Sequence, residues 1–335
     1  MREAVLLVGG QGTRLRPLTL TTPKPMLPVA GVPFLQHQIA KLRDGGIEHI
    51  VLATSYRAEV FQTHFGDGAS FGVRLTYAEE SAPLGTGGAI GNAAALLHSE
   101  PEEPVVIYNG DVLSAHDLRA QIAHHRSVNA SVTLHLVEVR DAAAYGCVPT
   151  DDSGRVTAFL EKMPDPITHW VNAGCYVFRR SVMDSIPRDA VVSVERQTFP
   201  GLLSAGDHVA SWKESAYWLD VGTPTTLVQA SADLVQGTFS SGEVVGAPAD
   251  SLAAPSATVH PSATLSSGTF VGGGARVEAN AEVASSIVMP DAIVEAGAHV
   301  TRSVVGAGAR IEAGSRVVNQ LVGDSDTVGA NATSI

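Results

Sequence analysis

The chain is poor in cysteine, in basic residues and in aromatics. Cys147 and Cys175 are the only two cysteines in 335 residues. They offer neither a metal-ligand spacing nor a disulfide framework, and fit a reducing, cytoplasmic setting. Lysine and arginine number 22 against 34 acidic residues, for a net charge of −12. With no basic run, that balance argues against nucleic acid or an anionic membrane as partner. No apolar run is long enough to span a bilayer, and a strand begins too early for a signal peptide. The 12 histidines form no cluster at metal-ligand spacing, and no Gly-x-Ser-x-Gly elbow is present. Hydrophobic content of 44% and charged content of 17% describe a soluble globular chain, long enough for two domains.

What the chain does have is a glycine-rich stretch close to its start. Val5 to Val8 reads as a short buried strand, followed by Gly9, Gly10 and Gly12. Such a loop lets the backbone turn sharply, and its N–H groups can cradle phosphate oxygens. Arg14 adds a planar charged fork suited to phosphate. Lys24, between Pro23 and Pro25, is expected on an extended, braced backbone rather than on a helix face. The P-loop pattern fails because Thr13-Arg14 follows the last glycine where Lys-Ser/Thr is required. The dinucleotide fingerprint fails because position 15 is Leu. A nucleotide phosphate site of another kind is the reading that remains.

Strand-like and helix-like segments then alternate. Strands are expected at Ile50–Ala53, Val73–Tyr77 and Val105–Tyr108, and helices at Phe34–Asp44, Ala58–Phe65, Ala89–His98 and Asp117–Arg126. This rhythm predicts an α/β, Rossmann-like, mostly parallel sheet with helices on both faces. Ligands bind such sheets beyond the carboxyl ends of the strands, where the glycine loop and Asn109-Gly-Asp111 both fall. From Ser131 the pattern turns strand-rich, with strands expected at Val132–Val139, Val156–Leu160, from Asn172 and at Tyr217–Asp220, before a helix ending near Gln236.

Asp111 and Asp220 each follow an apolar strand, and two such carboxylates suit one octahedral Mg²⁺ against nucleotide oxygens. Lys162, beside Glu161, suits a second phosphate or, alternatively, a surface ion pair. Leu84-Gly-Thr-Gly-Gly88 either offers backbone groups to a ligand or is a plain turn before a helix.

Beyond a small, polar Gly/Pro-containing junction, a row of apolar residues recurs at a spacing of six. Val259, Leu265, Val271, Val277 and Val283 begin it, with shortened steps of five before Val288, Val305 and Val322. Ala, Gly and Ser fill most of the positions between. A hexapeptide period of this kind predicts a parallel β-helix, one flat face per repeat. Its flat faces suit assembly or regulation. The expected domains are 1–236 (catalytic), 237–254 (linker) and 255–335 (β-helix).

Val8-Gly-Gly-Gln-Gly-Thr-Arg-Leu-Arg-Pro-Leu-Thr19 with Pro23-Lys24-Pro25 resembles the signature of sugar-1-phosphate nucleotidylyltransferases, in wording nearest to the mannose-1-phosphate guanylyltransferases. The resemblance extends through Leu84–Gly88, Asn109–Asp111, Tyr145-Gly146, Glu161-Lys162, Asn172–Gly174, Ser193-x-Glu195 with Phe199-Pro200, and Trp218–Pro224. It covers about residues 1–235, and the hexapeptide repeats, expected to wind left-handed, fit the family's two-domain members. It implies that Gly9, Gly10, Gly12, Thr13, Arg14 and Gly85 bind the nucleotide, with Glu79 or Glu80 near the base. Arg14, Lys24 and Asp111 would be catalytic, and Asp111 and Asp220 would hold Mg²⁺. Gly146, Glu161 and Asn172 would hold the sugar, and Lys162 its phosphate. Met163 stands where the family usually has Pro, and Gly87 where Ala is common.

The implied reaction is transfer of a nucleotidyl group, most simply from GTP, to mannose 1-phosphate or a related sugar phosphate. A dTTP- or UTP-dependent glucose-1-phosphate enzyme is one alternative, and a non-catalytic nucleotide-sugar-binding subunit another. A β-helix acyltransferase would want a histidine in an inserted loop, but His260 and His299 lie within the regular repeat. A cytoplasmic homo-oligomer, dimer or tetramer, is expected.

Overall fold

The structure is a computed structural model describing residues 2–54, 58–80, 82–160, 164–188 and 190–329. Seven strands form the main sheet: β1 (Glu3–Leu7), β2 (His49–Thr54), β3 (Arg74–Glu79), β4 (Pro104–Asn109), β5 (Val132–Glu138), β6 (Trp170–Arg179) and β7 (Val209–Lys213). The helices are α1 (Phe34–Asp44), α2 (Ala58–Phe65), α3 (Gly85–Ala94), α4 (Leu118–Ser127), α5 (Arg180–Asp184), α6 (Phe199–Ser204) and α7 (Pro224–Gln236). Two compact units result. One comprises residues 1–10 and 41–218, the other residues 11–40 and 219–335.

The first unit holds the sheet, in the order β7-β5-β6-β4-β1-β2-β3. β1 runs parallel to β2 and β4, β2 to β3, and β5 to β7. β6 is antiparallel to both its neighbours, so the sheet is mixed. Ala4, Val5 and Leu6 are fully buried, as a strand covered on both faces requires. The core gathers Val5, Val51, Val105, Ile107, Leu134, Tyr176, Phe178 and Phe199.

Several expected bounds shift. α3 starts at Gly85, four residues before the expected Ala89, so the second glycine loop is itself the first turn of the helix. Among the described residues Val156–Leu160 forms no strand, only the isolated bridges Thr150–Val156 and Cys147–Leu160. Asp117 caps α4 by accepting the Ala120 N–H at 3.0 Å.

The second unit holds α7 and the hexapeptide repeats. Thr223 and Thr226 close a reciprocal capping box at the start of α7, and Gly237 ends it with φ +77°. Among the described residues the repeats build three parallel sheets of five, five and four short strands. Thr258 pairs with Arg276, which pairs with Ile293, so a coil takes 18 residues, or 17 where a five-residue step intervenes. The inward row forms one cluster, with Val259, Leu265 and Val328 at its partly buried ends. The first sheet includes Ser251–Ala253, paired with Thr269–Val271. Its outward residues Phe270, Ile287 and Val304 are also buried, and α7 packs against the Thr269–Val271 strand.

Candidate active site

In the first unit the site residues gather at the carboxyl ends of β1 and β4. Gly9 and Gly10 are exposed just past β1, and Gly10 has φ +107°. β4 runs into Asn109-Gly110-Asp111, where the Gly110 N–H donates to the Leu7 carbonyl at 2.8 Å. A Cβ on Gly110 would lie 2.1 Å from that oxygen. Half-buried Asp111 is thereby pinned beside the origin of the glycine loop.

Because β6 runs against β4, its first residues reach the same end of the sheet. The Asn172 amide donates to the Tyr176 hydroxyl at 2.7 Å and accepts the Gly174 N–H at 3.0 Å. The antiparallel bridge between Cys147 and Val171 sets Gly146 beside Asn172. Tyr145 and Trp218 meet edge to face at 5.5 Å, and the Trp218 indole N–H donates to the Ala173 carbonyl at 2.9 Å. Glu161 and Lys162, expected in the sugar-phosphate site, lie outside the described residues.

Gly85 opens α3 with φ +72°. The Val192 carbonyl accepts the N–H groups of Gly87 at 2.8 Å and Gly88 at 3.2 Å. Two N–H groups of the first turn are therefore occupied within the protein, which narrows the backbone the loop can offer a ligand. A Cβ on Gly87 would lie 2.7 Å from Val192 Cγ1, so glycine rather than alanine fits there. The Thr86 hydroxyl donates to Glu195 Oε2 at 3.0 Å, and Ser193 Oγ donates to the same oxygen at 3.0 Å. The Leu84–Gly88 motif alone gives no sign of this bond, since the partner of Thr86 lies 109 residues away. Glu80 accepts the Leu84 N–H at 3.2 Å. Burial raises its pKa, partly offset by that bond. Exposed Glu79 pairs with Gln62 at 2.6 Å.

In the second unit, Gly12 adopts φ 58°, ψ 37° and leads into three consecutive 3₁₀ turns, Thr13–Leu15, Leu18–Leu20 and Lys24–Met26. The Gly12 carbonyl accepts Leu15 N–H and Thr19 Oγ1, both at 2.9 Å. A Cβ on Gly12 would come within 2.9 Å of Lys24 Cβ, so the loop closes onto the lysine. Lys24 itself is not extended as expected. Pro23 is extended, and Lys24 starts a single 3₁₀ turn because the Met26 N–H reaches back to the Pro23 carbonyl at 2.8 Å. Thr13 and Arg14 are exposed. The Arg14 guanidinium and the Asp220 carboxylate converge on Gly222: a Cβ there would lie 2.7 Å from Arg14 Nη2 and 3.0 Å from Asp220 Oδ1.

Asp111 in the first unit and Asp220 in the second each offer hard carboxylate oxygens, the donor type that suits a divalent cation such as Mg²⁺. Another group, Glu3, His49 and His98, brings ligand atoms within 4.8 Å of one another. Its chemistry is spent internally. Glu3 Oε1 meets His49 Nδ1 at 2.6 Å, and Oε2 accepts from His98 N–H, Ser99 N–H and Ser99 Oγ. Burial pushes the Glu3 pKa up, but these bonds together hold it below its ordinary value. The group ties together the amino ends of β1 and β2, away from the glycine loop.

Residues 3–237 match the Nucleotidyl transferase family, and residues 248–333 match the GMPPB C-terminal domain. The chain is 49% identical over 287 residues to the mannose-1-phosphate guanylyltransferase of Mycobacterium tuberculosis, covering 85% of this chain and 79% of that one. It is 35% identical over 223 residues to the mannose-1-phosphate guanylyltransferase catalytic subunit beta of Drosophila melanogaster, of which it spans about three fifths, 60%. Among solved structures, HddC from Yersinia pseudotuberculosis complexed with GMP-PN superposes with a TM-score of 0.60 at 28% identity, over 70% of this chain and all of that one. The glycine loop on β1, the Asn-Gly-Asp turn on β4 and these likenesses agree: the chain belongs to the Nucleotidyl transferase family.

Proposed function

We propose that the protein transfers the guanylyl group of GTP to mannose 1-phosphate, giving GDP-mannose and pyrophosphate. The observation that carries this reading is the 49% identity to a mannose-1-phosphate guanylyltransferase over most of both chains. A sugar-phosphate oxygen attacks the α-phosphorus of GTP. A new P–O bond forms, the bond from the α-phosphorus to the bridging oxygen breaks, and pyrophosphate leaves with its electrons. The nucleophile is already an anion, so no general base is needed, and rate comes from positioning and charge neutralisation.

The residue roles are likewise proposals. Gly9, Gly10, Gly12, Thr13 and Arg14 hold the triphosphate, and Lys24 contacts phosphate at the reacting centre. Gly85 lies at the base. Gly146, Glu161 and Asn172 take sugar hydroxyls, and Lys162 the sugar phosphate. Asp111 and Asp220 hold Mg²⁺, which when bound neutralises phosphate charge. Residues 1–236 act as the catalytic domain and 255–335 as an assembly or regulatory domain of a cytoplasmic homo-oligomer. Among the described residues no helix is long and apolar enough to cross a membrane.

The test is pyrophosphate release from GTP, dTTP, UTP, ATP and CTP, each paired with mannose and glucose 1-phosphates. GTP with mannose 1-phosphate is expected to turn over fastest. A preference for dTTP or UTP with glucose 1-phosphate would redirect the substrate reading.

A further inference from the structure

The backbone hydrogen bonds within the three 3₁₀ turns between Gly12 and Leu27 reach back only three or four residues, from Leu15 N–H to the Gly12 carbonyl through Leu27 N–H to the Lys24 carbonyl, and Arg14 and Lys24 sit in the first and last turns. Such bonds shape each turn, and contacts from elsewhere in the same unit reach the middle of the segment. Thr21 lies between the second and third turns, and its hydroxyl has two acceptors within reach, the Leu18 carbonyl at 3.0 Å and, closer, Asp324 Oδ2 at 2.5 Å across 303 residues of sequence. Asp324 belongs to the last described coil of the hexapeptide domain. Its other oxygen, Oδ1, accepts the Ala307 N–H of the preceding coil at 2.9 Å, which fixes the plane of the carboxylate. Next to it, a Cβ on Gly323 would lie 3.1 Å from Pro17 Cγ. Just past that segment, a Cβ on Gly31 would lie 2.6 Å from the Phe270 ring. The Ala30 N–H donates to Ser231 Oγ on α7 at 3.1 Å.

We propose that Asp324 is a positioning residue for nucleotide binding. Through Thr21 it holds the turns that carry Arg14 and Lys24, so the hexapeptide domain braces the phosphate loop. This rests on the reading of that loop as the nucleotide site. Asp324 touches no substrate in this account. A charge-assisted bond to a carboxylate is about twice as strong as a neutral one, so one such bond biases a segment whose backbone bonds are all local.

The test uses the full chain with Asp324→Ala, Thr21→Val and the double variant. Asp324→Ala is expected to lower kcat/KM for GTP about tenfold, mainly through KM, with little change in melting temperature. Thr21→Val should do the same, and the double variant should lose clearly less than the product of the two single losses, since both remove the Thr21–Asp324 bond, while Thr21→Val also removes the bond to the Leu18 carbonyl and Asp324→Ala the one from Ala307. Asp324→Asn, which keeps an acceptor, should recover part of the loss. An Asp324→Ala enzyme within twofold of the parent, or losses that multiply in the double variant, would overturn the proposal. A second readout does not depend on activity. Hydrogen exchange of the amides of residues 12–26 should quicken in Asp324→Ala, and unchanged exchange also overturns the brace. If the parent chain transfers no nucleotide while exchange does quicken, the brace stands and the functional reading fails instead.

Discussion

The Gly110 N–H donates to the Leu7 carbonyl at 2.8 Å, with no room for a Cβ between the two backbones. This contact ties the turn bearing Asp111 to the strand that launches the glycine loop. Gly110→Ala would put a carbon 2.1 Å from that oxygen, and neither backbone can yield cheaply. We expect a destabilisation of about 1–3 kcal/mol. Turnover should fall further than the loss of folded protein explains, which thermal unfolding and steady-state rates measured on the same sample would show.

Lys24→Ala and Asp111→Ala should each cut turnover on the order of a hundredfold or more, as loss of one electrostatic stabiliser does elsewhere. Both residues are half-buried and stand on turns rather than in the core, so melting temperatures should change little. Near-normal turnover in either variant would remove that residue from the site.

Removing divalent metal with a chelator should abolish turnover, and added Mg²⁺ should restore it. Asp111→Asn should raise the Mg²⁺ concentration needed for half-maximal rate, because it removes a hard charged oxygen. A titration of rate against Mg²⁺ in both enzymes checks this.

Stability should fall as the medium is acidified from about pH 6.5 towards 4. Burial, with help from the Arg179 charge, lowers the His125 pKa to about 4. Burial, with the Lys41 charge, lowers that of His135 to about 3. In the unfolded chain both take up protons near pH 6.5. Between those limits the unfolded state binds more protons, so each histidine removes up to about 1.4 kcal/mol per pH unit on acidification. His135 stacks on His116 with ring centres 4.0 Å apart. His135→Phe, which keeps a ring there, should make a plot of unfolding free energy against pH shallower by about one proton.

How much of this was legible in the sequence depended on how far apart the partners lie. Every position in the apolar row, from Val259 to Val328, belongs to the hexapeptide core, because a six-residue period fixes side-chain direction locally. α1 and α2 match their expected bounds for the same reason. The meeting of the Gly9 and Asp111 loops followed from the rule that parallel strands present their carboxyl ends together. Long-range choices left no such trace. That β6 runs antiparallel between β4 and β5 is decided by pairing over distance, as is the failure of Val156–Leu160 to join the sheet. The 3₁₀ turn at Lys24 is not legible from sequence because the flanking prolines bias the backbone without excluding a single turn. Asp324 carried no signal at all, since its partner Thr21 is local only in three dimensions.

The most direct test of nucleotidyl transfer follows the phosphorus atoms. GTP labelled at the α-phosphorus, incubated with the protein, mannose 1-phosphate and Mg²⁺, should pass its label into GDP-mannose. Label at the γ-phosphorus should leave in pyrophosphate. Label that stays in GTP, or γ-label released as free phosphate, would contradict attack at the α-phosphorus.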